Sequence, residues 1–335
     1  MDLKPLISVV IPTYDRAQMV VGAIESVIAQ TYPRLEIIVV DDGSVDGTAD
    51  AIENLSSHSS SGSGKTPEIR YLYQPNMGQS HARNTGIAAA RGDWIGFLDS
   101  DDYWLRDKIE WQVRAIEQFK NECGACVSDA RLVDKPGNMD TTAFRLAGQC
   151  YKEFMGIIPA ATADLAKAVD GCWIQALIVR SDLAKQIGGF DAYLHFMEDH
   201  DFLFRLSLVT SYCYVDLPLA VIDRTSTATD PNARVRAWDS LEFRLKAQRH
   251  IYEKWLTLSS DLPPGVQTTI VQKLRAVHSA RANLYLQRDQ FDLAGQAIST
   301  AISYEFTPKL AVKSVITRIA PRIAKKFASV DPHRV

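Results

Sequence analysis

The amino-acid sequence predicts an α/β protein, a mostly parallel central sheet flanked by helices, followed by an all-helical C-terminal region. Three observations carry this reading. Short runs rich in β-branched residues alternate with helical patterns through the first hundred residues or so. The runs are apolar on both faces, as strands covered by helices on two sides must be. From about Pro231 onward strand signals stop and helical periodicity alone continues.

Taken in order, Ile7–Ile11 reads as a strand that ends at Pro12-Thr13-Tyr14-Asp15, ahead of a helix carrying Val20, Ala23, Ile24, Val27 and Ile28. Leu35–Val40 repeats the plan and ends in Asp41-Asp42-Gly43-Ser44, with Asp46 as cap of the helix that carries Ala49, Ile52 and Leu55. A third strand, Ile69–Tyr73, leads through Asn76-Met77-Gly78 into a helix from Ser80 to Ala90. A fourth, Trp94–Leu98, ends in Asp99-Ser100-Asp101-Asp102. Ligands of parallel sheets bind beyond the carboxyl ends of the strands, where Thr13, Asp42, Asn76 and Asp99 all fall. A fifth strand spans Ala125–Asp129, and an irregular stretch rich in Gly, Pro and Asp runs from it to about residue 170. Cys172–Val179 returns to strand character, followed by a helix over 181–187 and the turn Gly188-Gly189-Phe190-Asp191. Glu198, Asp199 and Asp201 then occupy the first turn of a helix, where its dipole tolerates them.

At 335 residues the chain exceeds the ~250–300 that a single core usually holds, so we expect a main domain over 1–230 and a helical extension over 231–335. Hydrophobic residues make up 46% and charged residues 23%, the balance of a globular protein. A formal charge of -3 provides no global basic field to gather nucleic acid. No apolar run approaches the ~20 residues that span a bilayer, and Asp2, Lys4 and Pro5 interrupt any signal-peptide core, so the chain reads as cytoplasmic. Five scattered cysteines suit a reducing compartment, and Cys123-Gly-Ala-Cys126 reads as core, since no second pair completes a zinc site. Gly64-Lys65-Thr66, inside a polar insert over 56–66, suggests a phosphate loop. That motif needs a glycine where Ser59 stands and a strand where a helix precedes.

The cluster Asp99, Asp101 and Asp102 offers hard oxygen donors at a strand end, the chemistry of Mg²⁺ or Mn²⁺ on a diphosphate; the alternative is a capped turn into the helix after Trp104. Its context is decisive. Pro12-Thr13-Tyr14-Asp15-Arg16, Val39-Val40-Asp41-Asp42-Gly43-Ser44, Asn76-x-Gly78-x-x-x-Ala82-Arg83-Asn84-x-Gly86 and Phe97-Leu98-Asp99-Ser100-Asp101-Asp102 stand in the order and spacing of glycosyltransferase family 2, which residues 6–105 resemble. Gly188–Asp191 and Glu198-Asp199-x-Asp201 extend the likeness to about residue 225. The resemblance implies a GT-A fold (Rossmann-like), a nucleotide-sugar donor, a divalent cation and inverting transfer. A UDP-sugar stands ahead of a GDP- or dTDP-sugar, and the acceptor is a glycan or lipid-linked hydroxyl in bacterial surface polysaccharide assembly.

Carried over by position, the resemblance puts Pro12, Thr13, Tyr14 and Asp15 beside the nucleoside, with Asp42 accepting from the base. Arg83 faces the diphosphate, Asp99 and Ser100 lie at the ribose or sugar, and Asp101 holds the metal. Asp199 is the general base with Glu198 beside it, facing the acceptor. Other readings stay open: Asp15 and Asp191 as turn caps, Asp201 as a helix-dipole partner, Arg83 as a surface salt bridge, His200 as an aromatic-slot residue or metal ligand. The Tyr-Arg-x-His block of many relatives has only Ile222-Asp223-Arg224-Thr225-Ser226 as its counterpart, without histidine, although Arg224 can substitute electrostatically. A metal-dependent nucleotidyltransferase would need a glycine-rich basic loop after Ile11, which is missing; a binding protein without chemistry is the remaining alternative.

Two features of the helical region stand apart. Tyr285, Ala294 and Ala301, with Phe291 and Ile298 between, have the spacing of a single tetratricopeptide helix pair. Residues 309–326 hold Lys309, Lys313, Arg318, Arg322, Lys325 and Lys326 and no acid, beside the apolar row Val312, Ile316, Ile319, Ile323 and Phe327. That pattern suits either peripheral contact with the inner face of an anionic membrane or packing on the catalytic domain with a solvated basic face. Pro321 should kink or split this helix.

Overall fold

The computed structural model describes residues 4–59, 66–133, 141–158, 161–167, 173–224, 240–258 and 262–328. Most of the polar insert with Gly64-Lys65, parts of the irregular stretch, Cys172, Thr225-Ser226 and the start of the helical region near Pro231 lie outside them. The chain divides into two compact units, Met1–Ala233 and Arg234–Val335.

The first unit is built on a ten-stranded sheet whose main path runs β3-β2-β1-β4-β9-β6-β10-β5. Its parallel half comprises β1 (Ile7–Thr13), β2 (Leu35–Asp41), β3 (Glu68–Tyr73) and β4 (Trp94–Phe97). The register sets Thr13 beside Asp41 and Val10 beside Phe97, so the strand ends that bear candidate residues align along one edge. Side chains alternate between faces. Ile7, Val9 and Ile11 share a buried cluster with Val20, Ala23, Ile24 and Val27 of α1 (Ala17–Ile28) and with Ile109 and Val113 of α4 (Lys108–Gln118). On the opposite face α3 (Gln79–Ala89) lies so close that a Cβ added to Gly86 would stand 2.2 Å from Val10 Cγ1. The helix α2 (Thr48–Ser59) packs beside α1. Asp46 caps as expected, accepting from the Thr48 amide, and also accepts from Ala17 N, tying the starts of both helices together.

The far half departs from a parallel plan. The strand expected at 125–129 extends to Cys123–Val133 as β6, and the run 172–179 becomes a 3₁₀ turn (Ile174–Ala176) followed by β9 (Leu177–Arg180), antiparallel to both β4 and β6. A 13-residue strand, β10 (Ser211–Asp223), gave no clear sequence signal because Pro218 stands in its middle, where a central strand needs its N–H. Register shifts on both sides of Pro218 accommodate the missing donor. Three short strands, β5 (Tyr103–Trp104), β7 (Thr141–Thr142) and β8 (Met155–Ile157), pair antiparallel to these long strands. Short helices α5 (Ala143–Leu146), α6 (Ala161–Ala166) and α7 (Ser181–Gln186) join them, and α8 (Glu198–Ser207) precedes β10. Cys123, Cys126 and Cys213 are buried thiols.

The second unit contains α9 (Leu241–Leu258), α10 (Val266–Gln287), α11 (Phe291–Tyr304), α12 (Pro308–Ile319) and α13 (Pro321–Lys326). Tyr285 packs against two small cores, one of Ala282, Ala297 and Ile298 and one of Leu286, Ala294 and Ala324. Pro321 splits the basic tail into α12 and α13, as its missing N–H requires.

Candidate active site

Four chain segments meet beyond the carboxyl edge of the parallel strands. The loop after β2 is shaped around Asp42, which is buried: its Oδ1 accepts from Gln74 Nε2 at 2.7 Å and Met77 N at 2.9 Å, and its Oδ2 from Gly78 N at 2.8 Å. Gly43 has φ +91°, and a side chain there would meet Asn76 N at 2.8 Å, so this close approach of two loops requires glycine. Asp42 is therefore a loop organiser whose oxygens already hold three N–H groups. Asp41 is likewise occupied, accepting from Ser44 N at 2.8 Å and Tyr71 Oη at 2.7 Å.

At the end of β1, Pro12 lies within the strand opposite Val40, and Thr13 is buried with an Oγ1 that has no hydrogen-bond partner. Tyr14 is exposed. Asp15 adopts a left-handed backbone (φ +48°), accepts from Val45 N at 2.8 Å and donates its own amide to Ser44 Oγ at 2.9 Å. Its carboxylate does act as a turn cap. So does that of Asp191, which accepts from Tyr193 N at 3.0 Å.

The third segment is the loop after β4. Asp99 Oδ1 accepts from Arg83 Nη2 at 2.8 Å and Gln79 Nε2 at 3.1 Å, and its Oδ2 accepts from Gln175 Nε2 at 2.6 Å. Arg16 reaches across from the end of β1 to Asp101, 2.9 Å, and to Ser100 Oγ, 3.4 Å. Asp102 is buried and accepts from Asp223 N at 2.9 Å, which joins this loop to the end of β10. Burial first, then the neighbouring Asp101 and Asp99 charges, push the Asp102 carboxyl well above the usual carboxylate range.

The fourth segment is the start of α8. Arg83, only 1% exposed, donates from Nη1 to Glu198 Oε1 at 2.9 Å while Nη2 holds Asp99, and its guanidinium stacks on Phe190 at 5.1 Å. A surface salt bridge is thereby excluded. Arg83 is a buried fork that ties the strand-end loop to the acidic helix start. Burial raises Glu198, with the Asp199 charge adding to it and Arg83 opposing. Burial also raises Asp199, while Arg83 and the His200 amide on its Oδ1 (2.8 Å) pull it back. Asp201 is different: fully buried, it accepts from Arg205 Nε at 2.8 Å, and Arg205 in turn donates to Ile187 O and Gly189 O. Through Arg205 it braces the glycine turn. Arg224 lies over the Trp173 ring at 4.9 Å.

Sequence reasoning missed Arg16, Gln79 and Gln175 as parts of this network. Gln175 had a signal, a polar residue inside the apolar run 172–179. It is held by its backbone carbonyl, which accepts from Trp104 Nε1 at 2.9 Å.

Asp99, Asp101, Asp102, Glu198 and Asp199 thus share the site with two guanidiniums, Arg16 and Arg83. Among the described residues, no group of three or more His, Cys, Asp or Glu is arranged to hold a metal unaided. A carboxylate excess around a single-ligand position fits a small hard cation that takes its remaining oxygens from a bound phosphate and water.

Residues 8–165 match the family described as Glycosyl transferase family 2. An uncharacterised glycosyltransferase of Rickettsia typhi is 30% identical over 242 residues, 71% of this chain and 70% of that protein. TuaG of Bacillus subtilis, named for teichuronic acid biosynthesis, is 37% identical over 136 residues, 40% of this chain and 50% of its own. Among solved structures, Staphylococcus aureus TarS 1–349 in complex with UDP-GlcNAc superposes with a TM-score of 0.69 at 17% identity, covering 96% of this chain and 90% of that one. The mannosyltransferase PcManGT of Pyrobaculum calidifontis, in complex with GDP-Man and Mn²⁺, has a TM-score of 0.56 at 18% identity, covering 98% of this chain and 84% of its own. These likenesses give the fold as GT-A-like, and with the ordered strand-end motifs and an alignment spanning more than two thirds of both it and the rickettsial protein, the chain belongs to glycosyl transferase family 2.

Proposed function

We propose that this glycosyltransferase moves a hexose, with inversion, from a nucleoside-diphosphate sugar to a hydroxyl of a glycan or lipid-linked acceptor in bacterial surface polysaccharide synthesis. The observation that carries the proposal is the Arg83 fork, because it holds a donor-side carboxylate, Asp99, and an acceptor-side carboxylate, Glu198, in one network. A UDP-sugar is the favoured donor, by analogy with TarS and its bound UDP-GlcNAc. The polysaccharide setting follows TuaG.

In this reading the nucleoside lies along Pro12, Thr13, Tyr14 and Asp15, and the unpartnered Thr13 Oγ1 supplies a buried polar contact. Asp42 acts by fixing the loop under the base, given that its oxygens are already engaged. Asp99 and Ser100 border the ribose and sugar, and Asp101 would hold a divalent cation, Mn²⁺ or Mg²⁺, whose charge when bound offsets that of the diphosphate. Asp199 accepts the proton of the acceptor hydroxyl as its oxygen bonds to the anomeric carbon, and the bond to the nucleoside diphosphate breaks with its electron pair. One displacement with one base inverts that centre. The raised proton affinity of Asp199 suits a base that must hold the proton it takes.

Asp199→Asn keeps the volume and removes the basicity. Transfer should fall by at least the ~10²–10⁴ that general-base catalysis supplies, with donor affinity retained. Steady-state transfer measured beside UDP-sugar calorimetry tests this. A variant within tenfold of the parent would move the base to Glu198, and a parent that binds donor without transferring it would be a binding protein.

A further inference from the structure

We infer that the α12–α13 tail is a docking face for an anionic lipid bilayer, independent of how the catalytic site is read. Among the described residues no helix is long and apolar enough to cross a membrane, so the contact would be made at the surface. Val312, Val315 and Ile319 are exposed on one side of α12, and Ile323 and Phe327 are exposed at the spacing of one turn along and just beyond α13. Ile319 and Phe327 are each 79% exposed, and together with Val312, Val315 and Ile323 they make a succession of apolar side chains rather than the single scattered ones of an ordinary surface. The expected row is corrected at one of its five positions: Ile316 packs inward with Leu286 and Ala294, and Val315 takes its place outside.

The charges divide in the same way. Of the six basic residues, three are engaged within the helical unit: Lys313 donates to Asn283 Oδ1 at 2.5 Å, Lys325 to Asp289 Oδ2 at 2.7 Å and Arg318 from Nη2 to Ser299 Oγ at 3.5 Å. Lys309, Arg318, Arg322 and Lys326 are exposed, and no acid occurs between Phe306 and Ala328. Lys309, Arg318 and Lys326 each stand three residues from an exposed apolar side chain, Val312, Val315 and Ile323, so cations rim the apolar rows. Apolar residues at the level of acyl chains with lysine and arginine at the level of phosphates is the complement of an anionic leaflet. A protein partner would have to match two short apolar helices and a wholly cationic rim.

Full-length protein should pellet with vesicles of phosphatidylcholine containing a one-third share of phosphatidylglycerol, and not with phosphatidylcholine alone. Binding should disappear near ~1 M salt, where charges are screened beyond ~3 Å. Arg322→Gln with Lys326→Gln should weaken it by roughly 25-fold, about five-fold for each basic residue near the surface. Ile319→Asp and Phe327→Asp should each weaken it at least tenfold, and circular dichroism should show all variants folded because every site is exposed. The proposal is overturned if the parent ignores both vesicles, or if it binds both equally. It is also overturned if sedimentation without lipid shows a dimer that Ile319→Asp dissociates, which would make the face a contact between copies of the chain.

Discussion

Arg83 illustrates how one side chain converts a sequence motif into a device. It stands on the buried side of its helix, α3, and meets carboxylates from two segments far apart in sequence. Breaking such a buried pair from one side leaves uncompensated charge, which costs about 3–5 kcal/mol. Arg83→Gln should therefore lower stability by roughly that amount in chemical denaturation, with Arg83→Lys the milder variant if the first does not fold. The chemical consequence separates this role from packing alone. Arg83 lowers the proton affinity of both Glu198 and Asp199, so without it both rise further. If either serves as base, the acid limb of the pH–rate profile should move to higher pH in the variant, and an unmoved limb would leave Arg83 a purely structural brace. In the sequence, Arg83 was visible as a candidate, but its partners were not. Nothing local to Ala82-Arg83-Asn84 states that Glu198 will stand 2.9 Å away.

At the scale of elements, α4 holds a feature that the mechanism does not use. Lys108 is fully buried at the start of this helix, donates from Nζ to Gln112 Oε1 at 2.6 Å and lies over the Trp104 ring at 4.0 Å. Burial lowers its pKa from the ordinary 10.5 to about 7. Between those values the unfolded chain binds a proton that the folded chain does not, so stability should rise with pH from about 7 toward 10.5, by at most ~1.4 kcal/mol per unit. Lys108→Met should abolish that slope. Denaturant unfolding of parent and variant at neutral pH and near pH ~9 checks it through the difference between the two, in which the buried thiols Cys123 and Cys213, raised by folding and shared by both proteins, cancel. Elements also mark where local pattern misled. The parallel strands β1, β2 and β4 were legible because each is short and buried on both faces, the first two rich in β-branched residues and β4 in aromatic ones. β10 was not, because Pro218 argues against a central strand unless a neighbouring strand shifts register to meet it. Likewise the run 172–179 divides into a 3₁₀ turn and a strand, since Gln175 must turn toward Asp99.

For the whole molecule, every proposed donor and base residue falls within the unit Met1–Ala233. A fragment of residues 1–233 should therefore bind the nucleotide-sugar as the full chain does, within about threefold by calorimetry, and should lose the attachment to anionic vesicles assigned to α12 and α13. Loss of donor binding by a fragment with native circular dichroism would place a necessary contact in the helical unit. The sequence by itself determined the alternation of strands and helices, the strand-end positions of Thr13, Asp42 and Asp99, the acids at the start of α8 and the division of the tail at Pro321. These follow from periodicity, chain stereochemistry and short motifs, all of which act over a few residues. Only the tertiary structure decided that Asp42 organises a loop, that Asp201 is spent on Arg205, that Gln175 and Arg16 belong to the site, and that Lys313 and Lys325 are taken while their neighbours face water. The reason is physical: a side chain's role depends on which partners long-range packing brings within hydrogen-bonding distance and how much water it removes, and neither is encoded in the residues beside it.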